Sequence, residues 1–337
     1  MSADVRPGRS EEQHELALTL RQVLTKHAGS DAVRAVMGAE PGYDTALWTL
    51  LCEQIGVAAL AVPEEHDGAG FTLAESVVAL EELGRALAPS PLLSSVLTAE
   101  AILATGDADA AARLLPRLAA GEVGAVVLDD GAPVLDAIDA TVLVALTDAG
   151  LVDVDPGSVT RRHLETVDQT LRLAAVDLEA AITTPIGDAA AVDAVRDRVR
   201  LVGALGVTAL QIGLADRALS MTVEYSRARV QFGRPIGSFQ ALKHRMAEML
   251  VLQEMGRSAV WAATEAVVAA REDAAELVHV AKAYCSEAAE RIAAETVQMH
   301  GGIAITWEHD AHLVFKRAHA LGQLFGAAHH HRAALTL

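Results

Sequence analysis

Cysteine is nearly absent from the chain, since Cys52 and Cys285 are its only two in 337 residues. Two cysteines exclude a disulfide framework and a cysteine-rich metal site. Aromatic residues are also scarce, at 3%. The sequence is otherwise 52% hydrophobic, 21% charged and rich in alanine, which is typical of a folded, mainly helical protein and not of a disordered one.

Basic residues are few as well, because 27 Lys and Arg stand against 45 Asp and Glu, for a formal net charge of −18. We therefore expect no nucleic-acid binding, and any phosphate ligand would require a local basic site. No apolar run reaches about 18 residues without a charge, so we expect no membrane span. Residues 1–15 are too polar for a secretory leader, and a cytoplasmic location is expected.

Three regions with different patterns predict an α+β, mainly α fold. The first, residues 1–121, is predicted to be an N-terminal helical domain. Within it we expect a helix over 43–55, which Asp44 could cap, and a helix that Thr72 could cap. A further pair of helices is expected over about 92–120.

Residues 122–187 are predicted to form a small middle β domain, because short apolar runs and alternating apolar and acidic residues are separated by turn signals. The expected strands are 125–128, 141–146, 152–154 and 176–178. From 188 to 337 the helical pattern returns, and this region is predicted to be a C-terminal four-helix bundle. Its helices are expected at about 190–227, 239–271, 273–300 and 310–334.

The most informative segment is residues 225–246, where one predicted helix ends in a turn and a second begins near Ser238. Arg229 in the turn suits a phosphate, because a guanidinium forms two parallel charged hydrogen bonds. Gly233 allows close approach of backbone to a ligand, and Ser238 could cap the second helix, whose first amides favour an anion. The segment is a candidate anion site, although a surface hairpin of two helices would carry the same turn residues.

Residues 229–240, Arg-Val-Gln-Phe-Gly-Arg-Pro-Ile-Gly-Ser-Phe-Gln, closely resemble the flavin-binding signature of acyl-CoA dehydrogenases. The resemblance implies that this turn holds the pyrophosphate and adenine end of FAD across a subunit boundary, with Arg229 on a phosphate. It implies further cofactor contacts from the same segment: Gln231, Phe232, Phe239 and Gln240. The alternative is that both phenylalanines belong to the core and that Arg229 is a surface charge.

Residues 295–302 carry a second motif, Gln298 followed after two residues by Gly301 and Gly302. It resembles the family's Gln-x-x-Gly-Gly, in which the Gln and the glycine backbone contact the ADP part of the flavin. Two glycines also suit such a contact physically, since they end a helix and let backbone approach a ligand. Without the first motif, Gly301 and Gly302 would indicate a helix C-cap and nothing more.

A third segment, residues 306–313, contains His309, Asp310 and His312 and resembles a sequence in a bacterial branch of the family. These side chains look like metal ligands, but their spacing matches no metal motif. A helix that begins with Asp310 as its cap explains them better, and we expect no metal.

The chain departs from the family at the catalytic base. The family removes a proton next to the thioester with a Glu near the end of the fourth bundle helix, and the resemblance places Gly326 at that position. A second family position on the first bundle helix falls at about Gly203. Glu308, Asp310 and Glu224 remain as carboxylates, but none lies at a family position, so the catalytic residue is unknown from sequence.

The middle region departs as well. Residues 127–133 and their neighbours lack the stretches that lie along the flavin ring in the family, and no Trp occurs between Trp48 and Trp261. The middle domain is therefore expected to be shortened. The half of the site that binds ADP matches the family, whereas the half that binds the ring and removes the proton does not.

Two functions follow from the resemblance. The chain is expected to be an FAD-dependent acyl-CoA dehydrogenase, which oxidises a fatty acyl or sterol side-chain thioester and passes electrons to electron-transfer flavoprotein. The alternative is a non-catalytic subunit that completes the FAD site in a heterotetramer with a full-length acyl-CoA dehydrogenase subunit. An oligomer built on the bundle is expected, either a homo-oligomer or this heterotetramer. A third hypothesis, a helical adaptor without flavin, rests on no motif.

Overall fold

The computed structural model describes residues 8–335, and the outermost residues of the predicted first and last domains lie outside that range. The chain divides into two compact units. The first unit consists of Ser10–Ala79 and Ala88–Gly203. Of the described residues, the second unit, here called the bundle unit, contains 80–87 and 204–335 together with Gly8 and Arg9.

The first unit begins with helices whose starts follow local capping rules. Ser10 and Gln13 form a reciprocal capping box on the first helix, and the side chain of Asp44 accepts the amide of Leu47, as predicted. Thr72 Oγ1 accepts the amide of Ala74, which confirms the second predicted cap. The helices are α1 (Glu11–His27), α2 (Ser30–Met37), α3 (Thr45–Leu50), α4 (Leu73–Ala86), α5 (Leu92–Thr105) and α6 (Ala108–Ala119). The residues of α4 from Leu80 onwards belong to the bundle unit.

One predicted helix in this region is shorter than expected. The helix expected over 43–55 is regular only as α3, and a wider π-helical turn at Leu51–Ile55 follows it. Gly56 then ends the segment in the left-handed region, with φ +75°.

Two small sheets complete the first unit. The strands are β1 (Gly124–Val127), β2 (Val134–Leu135), β3 (Val142–Thr147), β4 (Gly150–Val154), β5 (Thr160–Leu164), β6 (Leu173–Asp177) and β7 (Thr183–Ile186). One sheet has the order β1-β3-β4-β7, with β1 and β3 parallel, and the other has the order β2-β6-β5. The four predicted strands correspond to β1, β3, β4 and β6. The sequence analysis missed β5 because its residues, Thr-Arg-Arg-His-Leu, form a polar edge strand.

The bundle unit contains long helices joined by short turns. The first helix, α7 (Val192–Ala228), belongs to this unit from Ala204 onwards. The others are α8 (Gln240–Val268), α9 (Ala274–His300), α10 (Ala311–Gln323) and α11 (Ala328–Ala333). α8 and α9 pack along each other, and α10 and α11 pack on α9. The segment Ala189–Ala228 is long and apolar enough to span a membrane by composition, but 83% of its most apolar window is buried, as in the core helix of a folded domain.

The predicted helix over 310–334 is wrong as a single helix. It is broken between α10 and α11, where Phe325 and Gly326 have φ of +54° and +100°. Two consecutive residues with positive φ cannot continue a right-handed helix, so the chain turns at this point. We call residues 321–327 the corner.

Candidate functional site

The segment after α7 is a small β-hairpin. α7 ends at Ala228, and β8 (Val230–Gln231) pairs antiparallel with β9 (Arg234–Pro235). Phe232 and Gly233 form the tip with φ of +53° and +73°, as a two-residue turn of type I′ requires. The hairpin is exposed to solvent, and the ring of Phe232 is 92% exposed. The predicted turn therefore exists, and Phe232 is not a core residue of this chain.

Arg229 links α7 to the hairpin. Its amide donates to Tyr225 O at 2.8 Å and its carbonyl accepts the amide of Ile236 at 2.8 Å, so its backbone is fixed on both sides. Its side chain is exposed, and the guanidinium has no carboxylate partner among residues 8–335. Gln231 is also exposed and donates from Nε2 to Val230 O. Arg229 is thus a fixed backbone position with a cation free for a ligand.

The second strand of the hairpin is joined to α8 by a short segment, residues 236–239. Phe239 meets Phe232 edge-to-face with centroids 6.2 Å apart, and the guanidinium of Arg234 lies 4.1 Å above the Phe239 ring. Gly237 is required here, because a Cβ at this position would lie 2.9 Å from Ser226 O.

The predicted cap at Ser238 is wrong. Ser238 belongs to a 3-10 turn, Ile236–Ser238, and this turn makes Phe239 the residue before α8. No side chain caps α8, and its first residue, Gln240, is exposed, so the first amide of the helix has no side-chain acceptor.

The second motif lies at the C-terminal end of α9. Gln298 is exposed, whereas His300 is buried at 3% exposure. Gly301 ends the helix with φ +65° and ψ −145°, a conformation that glycine adopts readily. Cβ atoms placed on Gly301 and Gly302 would meet no atom within 4 Å. The backbone at this helix end is therefore open, as the predicted cofactor contact requires.

The structure brings the two motifs together through residues that the sequence analysis did not select. Tyr225, in the last turn of α7, stacks on His300 with ring centroids 4.4 Å apart. Arg229 follows Tyr225 by one helical turn, and Gly301 follows His300 directly. The β8–β9 hairpin and the turn at Gly301 and Gly302, here called the glycine turn, therefore both adjoin the contact between Tyr225 and His300.

The third segment forms no metal centre among the described residues, in which no group of three His, Cys, Asp or Glu is placed to hold an ion. Asp310 does precede α10, but its carboxylate accepts from Arg217 Nη2 at 2.8 Å and does not cap the helix. His309 Nδ1 accepts the amide of Ala311 instead. The predicted Asp310 cap is therefore wrong, because the carboxylate is drawn to a cation on α7.

The corner between α10 and α11 holds Gly326. A Cβ at Gly326 would lie 2.9 Å from Nε2 of His331, a buried residue of α11. That nitrogen is 2.8 Å from Phe325 O, and because a carbonyl only accepts, Nε2 carries the proton. His331 Nδ1 then accepts from His279 Nδ1 at 2.8 Å. Burial lowers the pKa of His331, which favours its neutral form.

A buried lysine closes the corner from the side of α9. Lys282 has no exposed surface, and its Nζ donates to Leu321 O and Gly322 O at 3.2 Å and to Ser286 Oγ at 3.0 Å. Burial lowers the pKa of Lys282 to about 8. These bonds satisfy the last carbonyls of α10, so the corner is fixed by groups of the chain itself.

Comparisons with known proteins identify the family. Residues 10–122 match the model "Acyl-CoA dehydrogenase, N-terminal domain" and residues 200–336 match "Acyl-CoA dehydrogenase, C-terminal domain". The chain is 46% identical over 316 residues to acyl-CoA dehydrogenase IpdE2 of Mycobacterium tuberculosis, covering 93% of each protein. The acyl-CoA dehydrogenase fold is shared with solved structures of the family.

Two of these structures are named as pairs of proteins. The Tcur3481-Tcur3483 steroid ACAD has 29% identity and a TM-score of 0.83, with 96% of each chain covered. The ChsE4-ChsE5 complex of Mycobacterium tuberculosis has 26% identity and a TM-score of 0.85, also with 96% of each chain covered.

Proposed function

Because the chain belongs to the acyl-CoA dehydrogenase family, we propose that it forms part of an FAD-dependent acyl-CoA dehydrogenase and holds the ADP part of the flavin. The observation that carries this proposal is the exposed guanidinium of Arg229, without a carboxylate partner in residues 8–335, on a turn that starts beside the open backbone of Gly301 and Gly302. When bound, FAD supplies the acceptor for the hydride that leaves the acyl chain.

The residues present fit a diphosphate-linked nucleotide. Arg229 offers charge-assisted hydrogen bonds to a phosphate, and the uncapped start of α8 offers amides to an anion. Phe232 presents an exposed ring to an adenine, and Gln231 and Gln298 present exposed amides. In a chain with a net charge of −18, such a local site is required for any phosphate ligand.

We further propose that this chain leaves proton removal to a second, full-length subunit. Gly326, at the position that the resemblance assigns to the base, has no side chain, and the corner around it is occupied by His331. Asp310 is bound to Arg217 and is thereby held as an ion-paired carboxylate. The names of the solved relatives, Tcur3481-Tcur3483 and ChsE4-ChsE5, support a two-subunit assembly.

The second candidate is an enzyme that acts alone or as a homo-oligomer. It is supported by the curated relative IpdE2, which bears the name acyl-CoA dehydrogenase by itself and aligns over 93% of its length. Glu308 and Glu224 are both exposed and would be the bases to test.

In either case we propose an acyl-CoA substrate, with a sterol-derived acyl chain favoured over a simple fatty acyl chain by the steroid relative. Electron-transfer flavoprotein is the proposed acceptor.

Flavin stoichiometry tests the first part of the proposal. The native assembly, purified through a tag on this chain, should contain FAD, and Arg229→Ala should lower the flavin-to-protein ratio at limiting FAD. Arg227→Ala is the matched control, because Arg227 is also exposed but lies in the last turn of α7. Equal flavin content in both variants and the wild type would refute the assignment.

A further inference from the structure

Three rings form a continuous cluster at the end of the bundle unit. Tyr225 of α7 and His300 of α9 stack with centroids 4.4 Å apart and an interplanar angle of 28°. His309, just before α10, lies 4.5 Å from the ring of His300 and 6.3 Å from that of Tyr225. We call Tyr225, His300 and His309 the ring cluster. It joins three separate segments of the chain at one point.

The central ring is held in one orientation. His300 Nδ1 lies 2.7 Å from Thr296 O, so this nitrogen carries the proton and donates to a carbonyl one turn earlier in α9. His300 is buried, and burial lowers its pKa, so the ring is neutral at pH 7. A neutral imidazole with a fixed tautomer offers a flat face for the Tyr225 ring.

Two members of the cluster, Tyr225 and His300, adjoin segments that the proposed function uses. Tyr225 O accepts the amide of Arg229, so the position of Tyr225 sets the base of the hairpin. His300 precedes Gly301, whose amide donates back to Val297 O at the end of α9. Neither the hairpin tip nor the glycine turn is buried, so packing of their own side chains does not set the distance between them.

We propose that the ring cluster is a positioning element of the flavin site, which holds Arg229 and the backbone of Gly301 and Gly302 at the separation needed to contact one diphosphate-linked ligand. This inference rests on the proposed function. A rigid spacing strengthens binding because the ligand does not have to order the two turns. Tyr225 and His300 would act through the turns and would not themselves touch the diphosphate.

The competing explanation is that the cluster only stabilises the fold. The two explanations differ in one respect, which is whether FAD affinity changes beyond any change in stability. A stacked aromatic pair contributes about 0.5–1.5 kcal/mol, which converts to a loss of roughly 2- to 12-fold in FAD affinity if the spacing is lost.

The test uses three variants of the native assembly purified through a tag on this chain. Tyr225→Ala removes the stack, and Tyr225→Phe keeps the ring as the conservative rescue. Val278→Ala is the stability control, because Val278 is buried on the same α9 but 22 positions before His300, or about 33 Å along the helix. For each variant, the Kd for FAD is measured by flavin fluorescence, and the urea midpoint is measured on the FAD-free form.

We expect Tyr225→Ala to raise the Kd for FAD by about 2- to 12-fold, and Tyr225→Phe to bind as the wild type does. Val278→Ala should lower the urea midpoint without weakening FAD binding. A wild-type Kd in Tyr225→Ala, or an equal loss in Val278→Ala, overturns the inference while leaving the proposed function intact if Arg229→Ala still loses flavin. A wild-type assembly that binds no FAD overturns both.

Discussion

Gly326 offers the sharpest test of the idea that this chain lacks a base, because the missing carboxylate is simple to restore by mutation. If the glycine were merely an empty family position, Gly326→Glu would place an acid where the resemblance expects one. The structure predicts a different outcome. The backbone at this residue has φ +100°, and a Cβ would lie 2.9 Å from His331 Nε2. Restoring the side chain should therefore disrupt the corner and should not create a working base.

The expected cost has two parts. A non-glycine residue held at positive φ costs about 1–3 kcal/mol. Displacing His331 also breaks its 2.8 Å hydrogen bond to Phe325 O, which adds about 0.5–1.5 kcal/mol. Gly326→Ala and Gly326→Glu should therefore each lower the free energy of unfolding by about 2–4 kcal/mol.

Equilibrium urea unfolding measures these costs, and two controls separate them. Gly131→Ala tests positive φ alone, because Gly131 has φ +72° with no atom within 4 Å of its Cβ position. It should cost only about 1–2 kcal/mol. A double-mutant cycle isolates the collision: in a His331→Ala background, Gly326→Ala should cost less than it does in the wild type.

The activity of Gly326→Glu is measured on the chain alone, loaded with FAD, with an acyl-CoA and an artificial electron acceptor. We expect no dehydrogenation above the wild-type background. A well-folded Gly326→Glu protein with substantial turnover would refute the reasoning, since it would show that the corner accepts a carboxylate. A neutral Gly326→Ala substitution would refute the structural part of the argument by itself.

Three further outcomes are expected. Without a companion subunit, the wild-type chain should dehydrogenate acyl-CoA about 10²–10⁴-fold more slowly than a complete enzyme, which is the usual cost of losing a general base. Robust turnover by the isolated chain would contradict the two-subunit proposal. The assembly should be an oligomer by light scattering, and Val251→Glu should reduce its mass, because Val251 lies with Leu250 and Met255 among the exposed large apolar residues of α8. Burial holds the pKa of His331 below its ordinary value of 6.5 among the neighbours Lys282, His279 and His330. The unfolded chain therefore binds more protons just below pH 6.5, so stability should be complete above that pH and fall as the pH drops; His331→Gln should show a flatter decline in urea unfolding.

Local sequence patterns predicted those features whose cause lies within a few residues. Asp44 caps an amide three positions away and Thr72 an amide two positions away, and both caps were predicted from their position before an apolar helix. Three long helices, α7, α8 and α9, were predicted from their 3.6-residue period to within a few residues. Two predicted caps failed: at Ser238 a 3-10 turn moved the start of α8 by one residue, and the carboxylate of Asp310 is bound to Arg217.

Features with a tertiary cause could not be predicted in the same way. Strand β5 carries no apolar alternation, because it lies at the edge of its sheet and its residues are largely exposed. The corner depends on Lys282, which satisfies the carbonyls of Leu321 and Gly322 from another helix. Tyr225 and His300 belong to different motif segments, and only the fold brings their rings together.

The proposed division between holding a cofactor and doing chemistry corresponds to a difference in how polar groups are satisfied. At the corner, Lys282 donates to the end of α10 and His331 donates to Phe325 O, so these groups are committed to the fold. A buried donor that already has its acceptor gains little from a substrate and loses a bond if it moves. Arg229 is the opposite case, because its backbone is fixed while its charge is exposed. A fixed backbone that presents an exposed cation fits ligand binding. This difference supports the proposal that the chain binds FAD but has no catalytic base of its own.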